Sequence, residues 1–171
     1  MKNSIITLLL IISVILLLGC GSQKAFSTGE HTLAKGYTVL NQPMTFEKFI
    51  RTKNNTVGVL VLPSLSSELA IIEEDAMDLK KGVSISSYSP YPSQGGEITL
   101  TVNQNSLIKR ARNLKVGDVL IVNLPYGSFN YQITKIDTKH QPSNTQGETL
   151  TFIVPSENKT TYFYAIPIST N

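Results

Sequence analysis

Cys20 is the only thiol in the 171 residues, and His31 and His140 are the only imidazoles. A thiol can serve as a nucleophile, a metal ligand or a site of acylation, and its surroundings decide which. Cys20 closes the run Leu17-Leu18-Gly19-Cys20 after an almost unbroken apolar segment from Ile5 to Leu18, which points to acylation. The other chemistry the chain could attempt is sparse. Ser156 and His140 could form a hydroxyl nucleophile and its base, but only if the fold brings them together. Glu73-Glu74-Asp75 could attract a cation or be a solvated turn. Two histidines and scattered acids make no ligand set for a metal. No phosphate loop or dinucleotide fingerprint is present, so no cofactor is expected. The densest positive patch, Lys109-Arg110-x-Arg112-x-x-Lys115, suits anionic lipid headgroups or teichoic acid, or is a solvated helix face.

The N-terminus reads as a secretory signal. Lys2 supplies the positive start, residues 5–18 the apolar core and Gly19 the small residue before the cut. The apolar run is too short and wrongly flanked for an ordinary spanning helix. A small residue followed directly by cysteine resembles the bacterial lipobox, which implies cleavage before Cys20 and diacylglycerol on its thiol. Residues 1–19 are then the lipoprotein signal peptide, and the mature chain keeps no free thiol for a disulfide, a metal or a nucleophile. Cleavage removes one lysine, so Lys plus Arg falls from 15 to 14 against 12 acids. A net charge of about +2, with no basic binding helix, argues against nucleic acid as a partner.

Residues 20–40 carry the lipidated cysteine and then a small, polar stretch that reads as a flexible tether, with His31 solvated in it. A domain over residues 41–171 follows, long enough for one core. Met44 to Ile50 has Thr45 as a helix cap, with Phe46, Phe49 and Ile50 at helical spacing. Strands are expected at Val57–Leu62, Leu69–Ile72, Glu97–Val102, Val119–Val122, Phe129–Ile136, Thr149–Val154 and Tyr162–Ile166. Pro125-Tyr126-Gly127-Ser128 is a hairpin signal. Asp75 to Lys80 forms a helical turn, Ser84 to Gly96 a loop, and Leu107 to Leu114 a brief basic helix. The fold class is mainly β: a closed barrel of seven to eight strands with one or two short helices.

The order of these elements resembles that of the sortases, the wall-anchoring transpeptidases of Gram-positive bacteria. Val59-Leu60-Val61-Leu62-Pro63 and Leu69-Ala70-Ile71-Ile72 are similar to the family's first two strands. Leu79-Lys80-Lys81-Gly82-Val83 and Pro92-Ser93-Gln94-Gly95-Gly96 take the places of its leucine-rich turn and its paired glycines. Leu114-Lys115-Val116-Gly117-Asp118 matches its leucine-lysine-x-glycine-aspartate stretch, and Phe129-Asn130-Tyr131-Gln132-Ile133 the aromatic second strand of the following hairpin. The resemblance covers roughly residues 57–165 and implies a sortase-like barrel.

It also implies three catalytic positions: a cysteine that forms a thioester with the sorting signal, a histidine that manages protons, and an arginine that steadies the oxyanion or substrate. Asn103 stands where the histidine is expected, and an amide does not titrate near neutral pH. Val154 and Pro155 stand where the family has threonine and cysteine, and Lys159 is the cation near the arginine's place. No catalytic residue is therefore assigned. The resemblance implies a groove between the Asn103 strand and the Phe152 strand. Tyr88 and Tyr91, with the prolines between them, could line a groove for an extended peptide or equally be loop residues packing on their own barrel.

The expectation is a pseudoenzyme, a lipoprotein at the outer face of the cytoplasmic membrane on a Gram-positive cell surface. Its partners would be the membrane, through Cys20, and a peptide, wall polymer or protein held in the groove. Two alternatives stay open: a transpeptidase or hydrolase with a non-cysteine nucleophile such as Ser156, and a spacer that binds nothing.

Overall fold

A computed structural model describes residues 23–74, 82–103, 105–141 and 147–169. Cys20 and the expected turn at residues 75–80 lie outside these. The chain divides into two compact units, residues 1–31 and residues 32–171. The described part of the first is the opening of helix α1, Gln23–Leu40. The stretch expected to be a flexible tether is thus helical from Gln23, and residues 32–40 belong to the barrel unit.

Gly36 accounts for that docking. A Cβ there would lie 2.8 Å from Val59 Cγ2 and 3.0 Å from the Gly58 carbonyl oxygen, so only glycine lets the helix come this close to the strand. One residue on, the Tyr37 hydroxyl donates to the Glu68 carboxylate. That bond, ahead of partial burial, pushes the Tyr37 pKa up to about 12. Helix α2, Phe46–Thr52, begins where its cap residue sits: the Lys48 amide donates to Thr45 Oγ1 at 3.3 Å.

The strands are β1 Thr56–Leu62, β2 Ser67–Glu73, β3 Val83–Ile85, β4 Glu97–Val102, β5 Val119–Leu124, β6 Gly127–Asp137, β7 Thr149–Val154 and β8 Thr161–Pro167. Helix α3, Asn105–Ala111, lies between β4 and β5, and a single turn of 3-10 helix, Pro63–Leu65, follows β1. They close into a barrel in the order β1-β2-β3-β4-β7-β8-β6-β5. The β2–β3 and β4–β7 pairs are parallel and the remaining six antiparallel.

Alternation along each strand sets the core. Ile98, Leu100 and Val102 of β4, Leu120, Val122 and Leu124 of β5, and Leu150, Phe152 and Val154 of β7 point inward and are buried. β3 is the strand that the sequence reading missed. Three residues from the expected Ser84–Gly96 loop and its border bridge β2 on one side and β4 on the other, and those neighbours make them a strand. No helix among the described residues is long and apolar enough to cross a membrane.

Candidate functional site

The topology gives the barrel two distinct ends. β4 and β7 both run toward the same end, paired from Glu97↔Thr149 to Thr101↔Ile153. Continuing that register sets Val102 beside Val154 and Asn103 beside Pro155. β8 enters at the same end, where Thr161 pairs with Val154, so the link from Pro155 to Thr160, with Lys159 in it, closes over that rim. The fold therefore brings Asn103, Pro155 and Lys159 to one end, although 52 residues separate the first two in the chain.

Their environments differ. Asn103 is half-buried and its backbone amide donates to the Gly82 carbonyl at 3.0 Å. Val154 is wholly buried and belongs to the core, Pro155 is half-buried, and Lys159 is exposed. An amide and an ammonium can hold a ligand by hydrogen bonds and charge, but valine and proline offer no nucleophile.

Three expected lining residues lie elsewhere. Phe152 is fully buried, 6.2 Å from the Phe163 ring centroid, because its alternation points it into the barrel. It cannot line a groove. β4 and β7 are hydrogen-bonded neighbours, so no cleft runs between them.

Tyr88 and Tyr91 sit in the link from β3 to β4, which crosses the opposite end of the barrel. Tyr88 is 98% exposed. Tyr91 is buried: its hydroxyl donates to Glu73, its ring meets Phe49 edge-on at 5.1 Å, and the Lys53 ammonium lies over it at 5.1 Å. Neither tyrosine shares the end that carries Asn103.

Nor does the fold assemble a serine–histidine pair. The link after β6 turns back over the outer face of β7 and β8, where Gln141 N donates to the Tyr164 hydroxyl at 2.7 Å. It holds the His140 ring against Tyr162, with centroids 5.5 Å apart. His140 Nε2 is 3.7 Å from Glu97 Oε1, an oxygen that also accepts from the buried Thr151 hydroxyl at 2.6 Å. No hydrogen bond joins His140 to Ser156 among the described residues. No cluster of three or more metal-ligating side chains occurs among them either.

The sequence reading also missed Glu148, which fastens the opposite end. It accepts from the Tyr131 hydroxyl at 2.6 Å, from Ser93 N at 2.7 Å and from Gly95 N at 3.3 Å. Burial first, then the bond to Glu148, pushes the Tyr131 hydroxyl well above its ordinary range. Burial does the same for Tyr126, with the Glu148 charge second. These partners are far apart in the chain and carry no local motif.

A closed eight-stranded barrel of this order, with parallel β4 and β7, is the sortase fold. Among solved structures the chain superposes on the Clostridium perfringens sortase D5 transpeptidase with a TM-score of 0.68, at 18% identity over 84% of this chain and 99% of that one. C. perfringens sortase C, in an intermolecular complex with the C-terminal cell wall sorting signal motif, gives 0.59 at 16% identity over 93% and 90%. Streptomyces avermitilis sortase E gives 0.60 at 17% identity over 70% and 92%. No family model matches. In sequence the chain is 31% identical to sortase D of Bacillus subtilis (strain 168) over 153 residues, spanning 78% of this chain and 76% of that protein. The chain belongs to the sortase family.

Proposed function

We propose that this chain is a sortase-family protein without transpeptidase activity. It is held at the outer face of the cytoplasmic membrane of a Gram-positive cell by lipid on Cys20. It binds a peptide, a wall component or a partner protein at the barrel end carrying Asn103, Pro155 and Lys159. The observation that carries this reading is the chain's cysteine content: its one thiol is Cys20, and the end of β7 carries Val154-Pro155 instead. A thioester step needs a thiolate at the acyl carbon, and acylated Cys20 offers none. An end that keeps its hydrogen-bonding and charged groups but lacks a nucleophile binds without turnover. The complex of C. perfringens sortase C with a sorting signal motif supports a peptide as the first ligand to try.

The test is incubation of the purified full chain with a sorting-signal peptide and an amine acceptor, followed by mass spectrometry and a binding isotherm. Saturable binding with intact peptide is expected. Cleavage or amine exchange would overturn the assignment, and absence of binding would leave the protein a spacer. The anchor is tested separately: Cys20→Ala is expected to abolish lipid labelling in the host and release the protein from the membrane.

A further inference from the structure

The segment from α3 to β5 is built as a rigid spur. Ala111 and Leu114 are buried in the core, while Lys109, Arg110, Arg112, Lys115, Val116 and Gly117 are exposed. Its backbone is tied at several points. Asn113 N donates to the Arg110 carbonyl at 2.9 Å, and Leu114 N to the Ala111 carbonyl at 3.2 Å. Lys115 N donates to Asp118 Oδ2 at 2.8 Å, and Gly117 N to the Ile133 carbonyl at 2.8 Å. Gly117 takes a φ of +96°, a turn conformation that lifts Val116 to the tip.

Two features of that tip stand out. Val116 is 60% exposed, more than any other large aliphatic side chain among the described residues. In the same exposed segment the chain sets three cations, Lys109, Arg112 and Lys115, whose side chains form no ion pair among the described residues. The fourth, Arg110, is taken up by the Leu65 carbonyl. Asp118, the acid beside them in the chain, has an oxygen occupied by the Lys115 amide.

We infer that this spur is a contact surface for an anionic lipid bilayer, with Val116 entering the headgroup boundary and Lys109, Arg112 and Lys115 meeting lipid phosphates. Unpaired cations alone would suit any polyphosphate. An exposed isopropyl group among them gains nothing from a hydrated polymer, whereas a bilayer interface offers an anionic layer and an apolar one together. Because the turn is already fixed by its hydrogen bonds, contact orders no flexible loop. The inference does not require the ligand-binding end proposed above to be occupied.

The test uses the full chain, in vesicles of phosphatidylcholine or of phosphatidylglycerol, with hydrogen exchange read at residues 112–117. The apolar N-terminus is common to every sample, so its own partitioning cancels. Exchange is expected to slow several-fold in phosphatidylglycerol only. It should recover at high salt and in the triple variant Lys109→Gln/Arg112→Gln/Lys115→Gln. Val116→Asp should lose most of the protection while the amides of β5 keep theirs, which shows the barrel intact. Equal exchange in the two vesicles would overturn the inference, as would unchanged protection in the triple variant. Slowing that needs added soluble poly(glycerol phosphate) would overturn it too, as the mark of a polymer site.

Discussion

At one end of the barrel the rings of Phe46, Phe49, Tyr91, Tyr126 and Phe129 interlock at centroid distances of 5.1 to 5.5 Å. Nearly every polar group among them is partnered: Tyr126 donates to the Pro92 carbonyl at 3.0 Å, Tyr91 to Glu73, and Glu148 collects three donors. At the other end stand Asn103, Pro155 and Lys159, two of them half-buried and one exposed. The first end stores stability, and the second leaves polar groups free of the core. A family member can therefore change Asn103, Pro155 or Lys159 without loosening the barrel, whereas Val102 and Val154 beside them are wholly buried in the core.

That contrast can be broken at several strengths. Phe49→Ala removes a ring 1% exposed that touches two others, and should cost about 3–5 kcal/mol in urea unfolding. A loss below that of an ordinary surface mutation would mean that the aromatic end is not the stabilising one.

Glu148→Ala strands the Tyr131 hydroxyl and the Ser93 amide and should cost roughly 1–3 kcal/mol. Glu148→Gln, which keeps an acceptor, should cost less. Alkali probes the same end. Tyr131 keeps its proton in the barrel beyond the ordinary 10.0 at which an unfolded tyrosine releases it. The folded state then holds the extra proton, so stability is intact below pH 10.0 and falls as pH rises above it. Tyr131→Phe should flatten that fall in a denaturation series across alkaline pH.

Smallest of all, Asn103→Ala and Lys159→Ala should each shift stability by no more than about 0.5 kcal/mol while weakening peptide binding. A large stability loss from either would erase the distinction between the ends.

Much of this division was legible beforehand. The alternation in Glu97–Val102, the cap at Thr45 and the turn at Pro125-Tyr126 are local signals, and each reappears in the barrel. Period-two spacing could also have placed Phe152 in the core, since it shares a face with Leu150 and Val154. Other features had no local signal. β3 is a strand because β2 and β4 flank it, and its serine-rich surroundings read as loop. Helix α1 contains Gly29, Gly36, Ser27 and Thr28, poor helix formers, and its end is held by contact with β1 and by Glu68. For Tyr91 the local sequence left groove lining and packing on the barrel equally open, and Phe49 and Glu73, distant in the chain, bury it.

The parallel pairing of β4 with β7 also bears on how the molecule is assembled. Glu97 meets Thr149 across a stretch of chain that includes the whole β5–β6 hairpin. Such long-range pairings come late in folding because their loop-closure entropy must be met first. Asn103 and Pro155 come together only once β4 and β7 pair. A chain released before β7 has its stabilising aromatic residues but no binding end. A ligand spanning the two strands would act on the finished molecule as a clasp, favouring the closed barrel by mass action.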